Sequence, residues 1–179
     1  PYIVINNIKA KAGMEKAGLS RPVFSDKEVE TVAEEGNRLF IPVELNAADS
    51  AMIVTVPGIG AVLGPRIIKY RNLLGGFYSI MQLSEVYGLD SGDIQDMLPY
   101  IIIDTTLIVK TDLNSAGYTD LLRHPYLTAE NTRDIINYRK YSGSISGLKE
   151  LLRNSILTKE EISKLAIYFY VCDSVNIER

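Results

Sequence analysis

The apolar residues of this chain fall into short clusters separated by Gly, Pro, Asn and Asp, the punctuation of many small elements rather than a few long ones. Pro1-Tyr2-Ile3-Val4-Ile5 is β-branched and predicts a strand; Asn6-Asn7 offers a turn, and residues 8–12 return as a second strand. Residues 13–38 are charged and loosely patterned, which predicts a linker with at most a short helix over 26–35. Asn46 then N-caps a helix over 46–54 that turns Met52, Ile53 and Val56 inward. Val56-Pro57-Gly58-Ile59-Gly60 is a tight turn into a longer helix over 61–73, which Gly75-Gly76 ends. Further helices are predicted over 80–86 and 91–98, and strand-like pieces over 100–103 and 107–110 flank Asp104-Thr105-Thr106.

This pattern is written twice. Leu45, Asn46 and Ala48 recur 68 positions on as Leu113, Asn114 and Ala116, and the offset holds without a gap. Pro57 recurs as Pro125, Ile67-Ile68 as Ile135-Ile136, Tyr70-Arg71 as Tyr138-Arg139, Leu83 as Leu151 and Tyr100 as Tyr168. The chain therefore divides into residues 1–38, a first unit over 39–106 and a second over 107–179. Pro1-Tyr2-Ile3-Val4-Ile5 resembles Pro99-Tyr100-Ile101-Ile102-Ile103, so the N-terminal piece is expected to be the tail of an earlier unit, in a fragment of a longer protein. Within the first unit, Val86-Tyr87-Gly88-Leu89-Asp90 echoes the turn at 56–60, as two halves packed about a pseudo-twofold would require.

Composition removes several kinds of chemistry. A single cysteine and a single histidine in 179 residues leave no intrachain disulfide, no multi-cysteine zinc site and little basis for a histidine relay. No apolar run reaches the ~20 residues that span a membrane. The net charge of −3 and pI near 5.3 argue against extensive coating of nucleic acid, so any such contact is expected to be small in area.

The repeat supplies an internal comparison. Arg71 and Arg139 recur, as do Tyr70 and Tyr138, which assigns them to the scaffold: the arginine bridges carbonyls or a carboxylate and the tyrosine packs. The glycines do not recur, for Gly58-Ile59-Gly60 becomes Tyr126-Leu127-Thr128. Thr128 is a good N-cap, Thr158 with Glu161 spells a capping box, and Asp90 with Asp93 does likewise; such side chains occupy the helix amides an anion would use. The 58–60 turn alone leaves its amides open at a helix N-terminus, where unpaired N–H groups and the helix dipole favour negative charge. Arg66 and Lys69 lie three apart on the following helix, and their counterparts are Asp134 and Asn137.

With Asn46-x-Ala48, Pro57-Gly58-Ile59-Gly60, Ile67-Ile68-x-Tyr70-Arg71 and Gly75-Gly76-Phe77 assembled, the first unit resembles the helix-hairpin-helix domain of the ComEA family, the DNA receptors of bacterial competence and their exported relatives. The resemblance covers residues 43–98 well and 111–166 weakly, and the tandem layout is similar to ComEA-like proteins of the Bacteroidetes type. It implies a mainly α fold of tandem helix-hairpin-helix, SAM-like units of about four short helices, joined by small β-hairpins. It also implies a non-enzymatic, sequence-independent binder of double-stranded DNA, serving uptake or competence. Backbone phosphate would be held by the amides of Gly58, Ile59, Gly60 and Ala61 with Arg66 and Lys69, with no cofactor, metal or small-molecule substrate. The setting implied is exported or membrane-anchored, on the periplasmic side. No Lys or Arg precedes Arg66 in Ala61-Val62-Leu63-Gly64-Pro65, where such domains commonly carry one, so low affinity is expected.

The alternative is a protein-interaction or structural module. A photosystem extrinsic subunit with a degenerate hairpin resembles the second unit, where Tyr118, Tyr126 and Tyr141 are candidate contacts. A glycosylase or nuclease is disfavoured: no Lys/Asp pair follows the hairpin, no metal-ligand grouping is seen, and Asp90 and Asp93 serve as caps.

Overall fold

A computed structural model describes residues 41–172, which lie within one compact unit, Leu39–Arg179. The strands expected over 1–5 and 8–12, the linker over 13–38 with its helix over 26–35, and the earlier-unit tail lie outside the described residues.

The chain runs β1 (Val43–Glu44), α1 (Ser50–Ile53), α2 (Leu63–Leu74), a 3-10 helix (Ile80–Glu85), α3 (Ser91–Met97), a 3-10 turn (Leu98–Tyr100) and β2 (Ile101–Ile102). After a 3-10 turn at Thr105–Leu107 it repeats as β3 (Thr111–Asp112), α4 (Tyr118–Arg123), α5 (Ala129–Ser142), α6 (Leu148–Arg153), α7 (Lys159–Tyr168) and β4 (Phe169–Tyr170). The fold is mainly helical, as expected. Helices this short gain little from propensity and are held by packing. Each contributes one or two apolar side chains to the interior at the same repeat register: Ile53 and Leu121, Ile67 and Ile135, Leu83 and Leu151, Met97 and Leu165 are all buried. Each such burial is worth about 1.5–3 kcal/mol.

The first helix is shorter than the pattern suggested. Asp49, not Asn46, caps it, its carboxylate accepting from the amides of Ala51 and Met52, and Met52 points outward while Ile53 and Val56 go in. Asn46 is a staple instead. Its amide nitrogen donates to the carbonyls of Phe77 and Asp104, and its oxygen accepts from the Phe77 N–H. Asn114 does the same with Ile145 and Cys172, which explains why the pair recurs. The recurring arginines bridge carbonyls: Arg71 donates to Leu45 and Ala48, Arg139 to Leu113 and Ala116. The recurring tyrosines, expected only to pack, also donate to carboxylates, Tyr70 to Glu85 and Tyr138 to Glu150.

Small strand pairs stand at the unit boundaries, but they are not hairpins. β1 pairs with β2 and β3 with β4, both in parallel. A hairpin reverses direction through a short turn, whereas here a whole helical unit intervenes and brings the chain back with its original sense. Each unit is thus closed by its own two ends, and residues 107–110 form no strand.

The second unit's hairpin packs on the first unit. Gln82, only 3% exposed, donates to the hydroxyls of Tyr126 (2.7 Å) and Tyr168 (2.9 Å), and the Tyr126 hydroxyl also donates to Glu85. Burial and this carboxylate push the Tyr126 hydroxyl well above its ordinary pKa, and burial pushes Tyr168 up to about 12, so both remain neutral hydroxyls.

Candidate functional site

The described residues hold four hairpin turns, over 56–60, 86–90, 124–128 and 154–158, and in all four the residue at the cap accepts the first helical hydrogen bond on its carbonyl. Gly64 N–H donates to Gly60, Ile94 to Asp90, Thr132 to Thr128 and Ile162 to Thr158, at 2.9–3.2 Å. Gly60 is therefore the equivalent of the other three caps, although the regular α2 begins at Leu63.

The caps differ in what their side chains do. Asp90 accepts from the amides of Gly92 and Asp93, Thr128 from Asn131, and Thr158 from Glu161. At Asp90 and Thr158 the box is closed by Asp93 and Glu161, which accept from the cap's own N–H. Gly60 has no side chain, and among the described residues the amides of Gly60, Ala61, Val62 and Leu63 have no acceptor within hydrogen-bonding reach. Gly60, Ala61 and Val62 are exposed. Of the four, this turn alone has no side chain accepting from any of its amides, and it stands at the positive end of a 12-residue helix.

The two glycines of the turn have different reasons to be there. Gly58 has φ +86°, and a Cβ on it would come within 3.1 Å of the Met97 methyl, so the bend itself requires it. Gly60 has no such backbone demand, and a Cβ there would meet nothing within 4 Å. Its effect is to keep the amides uncovered. Ile59 departs from expectation: its amide donates to the Val56 carbonyl at 3.0 Å and its side chain is buried, so it shapes the turn from inside.

Arg66 and Lys69 are placed apart. Arg66 reaches across to the Val86–Asp90 turn, donating to the Tyr87 carbonyl at 3.1 Å with its guanidinium 5.1 Å from the Tyr87 ring centre. It is an anchored cation between the first unit's two hairpins, with donors left over. Tyr87, 84% exposed, was missed from sequence; the signal was a large aromatic in a turn that otherwise repeats Val-x-Gly. Lys69 instead lines a cleft between the two units, beside Arg71 and Asn72.

In the second unit the equivalent face is acidic. Glu130, Asp134 and Glu161 line the depression where the first unit has Val62, Arg66 and Asp93. Tyr126, one of the candidate protein contacts, is used internally, whereas Tyr118 and Tyr141 are exposed.

His124, the chain's single histidine and 7% exposed, sits behind that hairpin against Tyr126, Tyr168 and Phe169. Its Nδ1 accepts from the Tyr126 N–H, which assigns the proton to Nε2; that atom closes no hydrogen bond, the Leu74 carbonyl standing near it. Burial lowers its pKa from 6.5 to about 4, slightly opposed by that carbonyl. The unfolded chain thus binds the proton more readily. Stability is complete above pH 6.5 and falls towards pH 4, by about 3 kcal/mol in total. Urea midpoints measured across this window should fall steadily, and His124→Gln should flatten the change.

Residues 40–102 match the family model of the helix-hairpin-helix motif. The match takes in most of the first unit. Over 148 residues the chain is also 22% identical to endonuclease/exonuclease/phosphatase family domain-containing protein 1 of Xenopus laevis. That alignment takes in 71% of this chain and 27% of the relative, so the chain spans about a quarter of that protein's length. No solved structure matches the chain.

Proposed function

We propose that this protein binds duplex DNA without sequence preference and without catalysis, its first unit gripping one stretch of phosphate backbone. The observation that carries this is the open cap: the helix-hairpin-helix motif points to nucleic acid, and Gly60, Ala61 and Val62 offer unpaired amides with no capping side chain over them, where each of the other three turns has one. Gly58 sets the bend and Arg66 adds charge from an anchored position, while Lys69, turned to the cleft, stands apart from this contact. Contacts of this kind read phosphate and not bases.

The acidic face of the second unit would repel the same backbone, and its hairpin is committed to the seam with the first unit. Its role is that of an internal scaffold. One competent hairpin per chain means modest affinity, raised when two chains or a further unit engage one duplex. A ComEA-like role in DNA uptake or competence, on the exported or membrane-anchored side of a bacterial envelope, is the finer form of this proposal, supported by the motif residues of the first unit. Among the described residues no helix is long and apolar enough to cross a membrane.

The test is fluorescence anisotropy with a short duplex at increasing salt. Two or three phosphate contacts give a slope of log K against log[salt] of about −2 to −3. A salt-independent affinity, or marked preference for one sequence, would contradict the proposal.

A further inference from the structure

The cleft holding Lys69 has properties that the open turn does not explain. It lies between the two units, has a volume of about 880 Å³, and is walled by Ile68, Leu107, Val109 and Phe169. This size is within the range that accepts an organic ligand. Its floor is tied together by the Val109 N–H donating to the Gly75 carbonyl at 2.8 Å.

Three cations border it, in a chain whose net charge is −3: Lys69, Arg71 and Arg123. None of them forms an ion pair among the described residues. Arg71 is held by the Leu45 and Ala48 carbonyls, which fix its guanidinium without neutralising it. Asp120 is the single carboxylate in the lining, and its Oδ2 accepts from the Gly117 N–H. His124 lines the cleft as a neutral ring with Nε2 sealed, so it adds an aromatic wall and no charge. An excess of uncompensated cations beside an apolar wall selects an anion attached to a flat apolar body.

We propose that this cleft is a second ligand site, taking a free phosphomonoester of nucleotide size, with its phosphate between Lys69 and Arg123 and its base against Val109 and Phe169. It does not depend on the DNA reading: the phosphate there is met by side chains, and the open turn meets it with amides.

The experiment is a backbone-amide NMR titration of the full chain with adenosine monophosphate, adenosine and inorganic phosphate. Adenosine monophosphate is expected to shift the amides of Lys69, Gly75, Gly76, Val109 and Arg123. Inorganic phosphate should bind the same residues more weakly, and adenosine more weakly still. Arg123→Glu, an exposed position, should weaken the nucleotide about tenfold, with Arg123→Gln intermediate. Gly60→Asp should leave nucleotide binding unchanged even though it removes DNA binding. No shift at millimolar nucleotide, shifts confined to residues 60–62, or unaltered affinity in Arg123→Glu would each overturn the proposal.

Discussion

Gly60→Asp should lose duplex DNA binding by more than about tenfold while the fold becomes slightly more stable. The two effects have opposite signs because one event causes both. An aspartate at this cap can accept from the free amides of the first turn of α2, as Asp90 does from Gly92 and Asp93. That satisfies orphan donors and complements the helix dipole, worth about 0.5 kcal/mol over glycine. The same carboxylate then occupies, and repels charge from, the place a phosphate would take. Space is not a complication, since a Cβ on Gly60 meets nothing within 4 Å. Gly58→Asp is a poorer probe. It forces a side chain into φ +86° against Met97 and should cost about 1–3 kcal/mol, which confounds lost binding with lost structure. Anisotropy and thermal melts on Gly60→Asp separate the two; retained affinity would exclude the turn as the contact.

Gln82→Leu should destabilise the chain by about 3 kcal/mol, read as a shift in urea midpoint. The leucine is of similar bulk, so the loss is polar. Gln82 is the junction of the two units: its nitrogen holds the hydroxyls of Tyr126 and Tyr168, and its oxygen accepts from the amides of Tyr78 and Ser79. Removing it strands the hydroxyl of Tyr168, a residue 1% exposed, along with two backbone donors. The Tyr126 hydroxyl keeps Glu85. Unpaired buried polar groups cost about 1–3 kcal/mol each, partly relieved by water at the edge of the seam. A loss under about 1 kcal/mol would mean that apolar contacts alone hold the units together.

Much of this was legible because the sequence states its unit twice. The positions shared by both copies, Asn46 and Asn114 or Arg71 and Arg139, proved to be polar staples, and the unshared glycines marked the turn that differs. Capping was readable at Asp90 and Thr158, since a capping box is a local pattern. Four features were not local and so were missed. The strand pairs join residues nearly sixty positions apart, and period-2 runs of two residues say nothing about direction. Asn46 resembled an N-cap, but its partners lie on distant segments, at Phe77 and Asp104. The role of Tyr126 depended on how the two units meet, because its partners Gln82 and Glu85 belong to the other unit. The anchorage of Arg66 on Tyr87 required knowing that the two hairpins stand side by side.

The most direct test is to follow every backbone amide while a short duplex is added to the full chain at low salt. Gly60, Ala61 and Val62 should move first and furthest, with the capped amides of Gly92, Asp93, Asn131 and Glu161 left in place. Equal movement at the capped turns, or none at residues 60–62 while DNA binds, would contradict the account.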